Sequence, residues 1–185
     1  MNAKEIPLYT MPRLYDFLQT NGPWSQLVNL KNIQLRKLQA DNSIHLTNKI
    51  SVTPVLVPHR DEFSETVGYA IKTEKRSVLF IPDIDKWQKW EKDIRQLVKE
   101  FDYLFIDGTF YNEKELPGRN MAEIPHPFVK ESMELFKDLE SDDKAKIWFT
   151  HFNHTNPLID RSSKEYKEVK SKGFNVAVEG SRITL

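Results

Sequence analysis

Apolar and polar positions alternate along this chain in two different rhythms, and the switches between them predict its elements. Ile6 to Thr10 is a short apolar run, and Pro12 follows at a position suited to a first helical turn. Leu14, Phe17 and Leu18 then fall at helical spacing up to the breaker Asn21-Gly22-Pro23, so a strand and a helix are predicted. Ile33, Leu35 and Leu38 alternate with charged residues, and Ile44 and Leu46 repeat the pattern, which predicts a half-buried antiparallel pair. Ile50 to Val57 is a further strand, and Thr66 to Thr73 with Ser77 to Ile81 form a hairpin across Glu74-Lys75. From Asp85 to Lys99, Trp87, Trp90, Ile94, Leu97 and Val98 share one helical face, with Asp85 as the N-cap and the tryptophans as core.

The second half continues in kind. Tyr103 to Ile106 is a wholly apolar strand, the kind expected where both faces are covered, and Tyr111 to Pro125 is a long loop. Pro127 to Leu139 is helical by pattern, and Ala145 to Thr150 is a strand that arrives from a helix. A helix near Ser163 to Ser171 ends at Gly173, and Asn175 to Val178 and Ile183 to Leu185 close the chain as strands. No repeat, low-complexity tract or linker divides it, so residues 1–185 are read as a single domain.

Three strands end in residues that can carry chemistry. The stretch Trp148-Phe149-Thr150-His151-Phe152-Asn153-His154-Thr155-Asn156-Pro157 ends one of them in imidazoles and amides; Val55 to His59 and Val78 to Asp83 end the other two. Polar side chains at the C-terminal edge of a sheet are where α/β proteins place ligands. The bland alternative is that His151 and His154 cap a loop. His59, Asp83 and His151 are far apart in sequence, so they form a constellation and no local motif.

Charge and composition narrow the chemistry. Lys plus Arg equals Asp plus Glu at 27 each, so no global field draws nucleic acid, an anionic membrane or an acidic substrate. With no cysteine there is no thiolate metal site, disulfide or cysteine nucleophile, which fits a reducing compartment. The polar start Met1-Asn2 and the lack of any membrane-length apolar run lead to the expectation of a soluble, cytoplasmic protein. In a chain without cysteine, imidazoles and carboxylates are the ligands left for zinc, manganese or iron.

Four segments carry a resemblance. Val57-Pro58-His59-Arg60 followed by Glu65 to Tyr69, then Leu79 to Asp83, then Phe105-Ile106-Asp107-Gly108-Thr109-Phe110, and then Thr150 to Pro157 resemble, in that order, the C-terminal half of the metallo-β-lactamase superfamily. The last two are most similar to its pyrroloquinoline quinone (PQQ) biosynthesis branch, and the order of all four also fits the phosphodiesterase and transfer-RNA processing branches.

The resemblance implies an α+β fold of αββα type, without the N-terminal part that carries His-x-His-x-Asp-His, a sequence found nowhere in this chain. It implies that His59 and His151 each bind a metal, that Asp83 bridges two, and that zinc is the first candidate with manganese or iron behind it, in a site that is only partial here. By the same resemblance His126 contacts a phosphate or leaving group and Asp107 supports the catalytic residues. Asn153 and His154 stand on the substrate side. For His126 the alternative is a helix N-terminal residue with no ligand.

The implied function is a metal-dependent hydrolase, or a protein of cofactor biosynthesis, acting on a small phosphoester or cofactor precursor. The alternative is an inactive, shortened relative serving as a subunit. Apolar strands without a covering half further predict a homodimer or a complementing subunit.

Overall fold

The computed structural model describes residues 3–185 and shows a mixed α/β molecule built on a seven-stranded sheet. The start at Met1-Asn2 lies outside the described residues. In chain order the elements are β1 (Ile6–Thr10), α1 (Pro12–Thr20), α2 (Trp24–Asn29), β2 (Ile33–Lys37), β3 (Ile44–His45), β4 (Ser51–Leu56), β5 (Val67–Lys72) and β6 (Ser77–Ile81). There follow α3 (Ile94–Glu100), β7 (Tyr103–Asp107), α4 (Val129–Leu135), α5 (Ser141–Lys144), β8 (Ile147–Thr150), α6 (Lys164–Ser171) and β9 (Asn175–Val176). Among the described residues no helix is long and apolar enough to cross a membrane.

The large sheet runs β3-β4-β5-β6-β7-β8-β9. Its first three pairings are antiparallel and the rest, from β6–β7 onward, are parallel. Two antiparallel steps from β4 through β5 to β6 restore the original direction. The C-terminal ends of β4, β6, β7 and β8 therefore all lie at one edge, where the candidate site residues stand.

Side chains alternate across this sheet, and its two faces differ. One carries Val55, Ala70, Leu79, Ile81, Leu104, Ile106, Ile147, Phe149 and Val176, all buried beneath Ile94 and Val98 of α3, Val129 and Met133 of α4 and Val169 of α6. The opposite face carries Leu56, Tyr69, Phe80, Phe105 and Trp148, joined through the pairs Tyr69↔Phe80, Phe80↔Phe105 and Phe105↔Trp148. Phe105 and Trp148 stack there with centroids 5.8 Å apart, while Leu56 and Phe80 remain 45% and 37% exposed. The expectation that Tyr103 to Ile106 is covered on both sides thus holds for Leu104 and Ile106 alone. Tyr103 and Phe105 are half-buried.

Three further expectations are corrected. β2 does not pair with β3; it lies parallel to β1 in register Ile6↔Ile33, while β3 pairs antiparallel with β4. The reason is the crossover: α1 and α2 between β1 and β2 give the chain the length to return parallel, and the ladder runs on through the bond from Leu38 N to Thr10 O. The long helix from Asp85 does not form. A short 3₁₀ turn at Trp87–Lys89 ends in extended backbone at Trp90, and α3 starts only after Asp93, whose carboxylate accepts from Arg95 N. Each tryptophan instead fixes its own place through a hydrogen bond, Trp87 Nε1 to Ser132 Oγ at 2.9 Å and Trp90 Nε1 to Leu56 O at 2.8 Å. Lastly, Ile183 to Leu185 form no strand.

Candidate metal centre

Four strand ends and one loop deliver the polar cluster. Asp107 is the last residue of β7, His151 follows β8 directly, Asp83 stands two residues past β6 and His59 three past β4. His126 comes from the loop before α4. Backbone bonds lock these ends together: Asp85 N donates to Pro58 O at 2.7 Å, and Gly108 N donates to Thr150 O at 2.8 Å. Ile84 N donates to Asp107 Oδ2 at 3.1 Å, tying the segment after β6 to the end of β7.

Gly108 is required for that convergence. A Cβ there would stand 2.9 Å from the Phe152 ring, 3.0 Å from Thr150 O and 3.1 Å from Phe149 Cβ, closer than side chains pack. Beside it, His151 has φ +63°, a left-handed conformation that costs a residue with a Cβ roughly 1–2 kcal/mol. Surrounding structure enforces it. Buried Asn156 clamps the turn, its amide donating to Gly108 O at 2.7 Å and Thr109 O at 3.2 Å, and Asn153 N donates to Thr109 O at 3.0 Å. The sharp turn at His151 is where strain of this kind is found when it serves a site.

The cluster falls into two groups that share Asp83: His59, Asp83 and His126, and Asp83, Asp107 and His151, with candidate ligand atoms within 4.8 Å of one another in each. His59 Nε2 is 3.0 Å from Asp83 Oδ1, and both atoms are buried with no hydrogen bond. His59 Nδ1 lies 3.3 Å from Arg60 O, a contact made when Nδ1 carries the proton, and in the neutral ring of that tautomer Nε2 offers its lone pair toward Asp83. In that tautomer two buried lone-pair atoms face each other, an arrangement that a divalent cation near both would satisfy, so these residues fit a divalent metal by the chemistry of their donors.

Asp107 is fully buried and satisfied by donors: Thr109 N at 2.8 Å and Thr109 Oγ1 at 2.7 Å on one oxygen, Ile84 N and His126 Nδ1 on the other, the latter at 2.8 Å. His126 Nδ1 also lies 3.4 Å from Asp83 Oδ1. Burial pulls the His126 pKa down, but the hydrogen bond it donates to Asp107 and the charges of Asp107, Asp83 and Asp85 outweigh it, so the value stands above that of an ordinary imidazole.

His59, Asp83, Asp107, His126 and His151 are thus brought together, whereas His154 is exposed and belongs to neither group. Asn153 is half-buried and its amide donates to Thr155 Oγ1 at 2.6 Å. Sequence reading passed over Thr109, whose hydroxyl also lies 2.9 Å from His151 Nδ1. It stands inside the quoted Asp107-Gly108-Thr109 segment, but nothing about a threonine after Asp-Gly announces such a contact.

The family model described as the beta-lactamase superfamily domain matches residues 1–152. Coenzyme PQQ synthesis protein B of Acinetobacter baumannii (strain ACICU) is 28% identical over 148 residues, which cover 73% of this chain and 46% of that protein. The protein of the same name from Xanthomonas campestris pv. campestris (strain B100) is 27% identical, over 99% of this chain and 66% of that protein. The chain spans about half the length of the first of these curated relatives.

Among solved structures, zinc-bound PqqB from Methylobacterium extorquens superposes with a TM-score of 0.78 at 20% identity, covering 98% of this chain and 65% of that one. A diphosphatase of the PhnP family gives a TM-score of 0.59 at 17% identity, covering 100% of this chain and 60% of that one. At these identities the structural likeness speaks for the fold, which is metallo-β-lactamase-like.

Proposed function

Since this chain belongs to the beta-lactamase superfamily domain family, we propose that it is a PQQ synthesis protein B-like member whose strand-end cluster holds a divalent metal and acts hydrolytically on a small molecule. Zinc is the first candidate ion, with manganese or iron as alternatives. A phosphoester or a cofactor precursor is the substrate class. The observation that carries the proposal is the facing pair of orphaned donors, His59 Nε2 and Asp83 Oδ1.

His59, Asp83 and His151 would hold the metal, with Asp83 common to both groups. When bound, a divalent ion supplies Lewis acidity to a reacting oxygen. The chain's own contribution is orientation and proton handling. His126, anchored through Nδ1 to Asp107, is left with Nε2 to meet a leaving group, and its raised pKa suits it to give up a proton there. Asp107 spends its charge on holding His126 in place. Asn153 and His154, on the loop after β8, are assigned to the substrate side.

The His-x-His-x-Asp-His sequence of the superfamily is absent from the 185 residues, so the site is taken as partial and occupancy by a single ion is its simplest state. Residues 1–185 are taken as one domain, corresponding to the C-terminal portion of the longer fold. A homodimer, or a complementing subunit over the face of Leu56 and Phe80, would cover that apolar surface. The absence of cysteine suits a cytoplasmic location. The role of an inactive subunit is not favoured, because His59, Asp83, Asp107, His126 and His151 converge on one sheet edge.

Metal analysis of the purified chain, combined with hydrolysis of bis(p-nitrophenyl) phosphate, tests the proposal. Near-stoichiometric metal with hydrolysis that chelation removes is the expected result. A protein that neither retains nor takes up metal overturns it.

A further inference from the structure

The Thr109 hydroxyl sits where Asp107, His126 and His151 meet. It lies 2.7 Å from Asp107 Oδ1, 2.9 Å from His151 Nδ1 and 3.4 Å from His126 Nδ1. A hydroxyl has one proton to give and lone pairs to receive with. Asp107 as a carboxylate only accepts, and a charge-assisted bond is about twice as strong as a neutral one, so the Thr109 proton goes to Asp107. The oxygen of Thr109 is then an acceptor toward His151, and the hydrogen between them must come from the imidazole.

We propose that Thr109 is a positioning residue that holds His151 in the tautomer protonated at Nδ1, leaving Nε2 as its free electron pair. Asp107 thereby sets two imidazoles at once, His126 through a direct bond to Oδ2 and His151 through the Thr109 hydroxyl on Oδ1. The left-handed backbone at His151 and the Asn156 clamp on the carbonyls of Gly108 and Thr109 keep ring and hydroxyl in reach of each other. Hydrogen-bond partners of this kind decide which nitrogen of a histidine is available to a ligand. The consequence for metal binding rests on the reading of His151 as a ligand, whereas the tautomer is a property of the metal-free chain.

The test is ¹⁵N-edited NMR of the histidine rings in the full, metal-free chain at about pH 8, above the ordinary imidazole range. Wild type and Thr109→Ser are expected to show His151 protonated on Nδ1. Thr109→Val should shift the proton toward Nε2 at His151 while His126 stays protonated on Nδ1. Cobalt(II) affinity should fall about ten- to hundredfold in Thr109→Val and be restored in Thr109→Ser. A wild-type His151 protonated on Nε2 overturns the proposal, and so does a Thr109→Val spectrum identical to wild type. Should Thr109→Val fail to fold, the wild-type spectrum still decides. Lack of cobalt binding in the wild type would overturn the metal reading instead, and would leave the tautomer result standing.

Discussion

His59 Nε2 and Asp83 Oδ1 lie 3.0 Å apart, shielded from solvent, and share no hydrogen bond. They come from segments after β4 and β6, strands that are not neighbours in the sheet, and are held in place by the bond from Asp85 N to Pro58 O. An unsatisfied buried polar atom costs about 1–3 kcal/mol, and a cation held between the two would satisfy both. That cost makes sense at a site built to receive a cation.

Asp83 belongs to both candidate ligand groups and His154 to neither. Asp83→Ala is therefore expected to reduce zinc or cobalt affinity by more than the ten- to hundredfold that loss of an outer partner costs, and His154→Ala to leave it nearly unchanged. Calorimetric titration of both variants checks this, and equal losses would contradict the assignments.

Gly108→Ala should destabilise the chain by about 1–3 kcal/mol, since the added methyl meets the Phe152 ring, Thr150 O and Phe149 Cβ at 3.1 Å or less. Asn156→Ala should cost about 2–3 kcal/mol, because it strands Gly108 O and Leu158 N in the interior. Urea unfolding measures both. A loss under about 0.5 kcal/mol in either, the range of ordinary surface substitutions, would mean that the loop after β8 is not held as described.

Much of this architecture is legible in the chain itself, and the misreadings share a cause. The runs from Val55 to His59, Val78 to Asp83 and Ala145 to His151 announce strands that end in ligand-type residues, and the structure brings those ends together. Period-two alternation at Ile33 to Leu38, however, names a strand without naming its partner, and the crossover through α1 and α2 set β2 beside β1. Helical spacing from Trp87 to Val98 is equally satisfied by two indoles anchored by hydrogen bonds and a later helix capped by Asp93. Thr109 was invisible because its importance arises from contacts 42 and 17 residues away.

Asp102 gives a pH-dependent stability prediction away from the site. The amide of Ser77 first, then the side chains of Arg76 and Ser77, hold its carboxyl below the ordinary carboxylate range. A folded-state pKa below the unfolded one stabilises the protein above the unfolded value, and the contribution is lost as pH falls through the folded one. Asp102→Asn should therefore be less stable than wild type at pH 7, with the gap closing under acid. A gap that is constant with pH would contradict this.

The exposed aromatic face predicts self-association. Sedimentation velocity at micromolar concentration should show a dimer for the wild type and a monomer for Phe80→Lys, since Phe80 is 37% exposed beside Phe105. A wild-type monomer would show that this face stays uncovered in the isolated chain.

The most direct test of the metal-holding cluster is a crystal structure of the zinc-soaked protein with anomalous scattering recorded across the zinc edge. An anomalous peak within ligand distance of both His59 Nε2 and Asp83 Oδ1, about 2.0–2.2 Å from each, is the predicted result. A cluster without anomalous density at saturating zinc, or zinc found only elsewhere on the molecule, would contradict it.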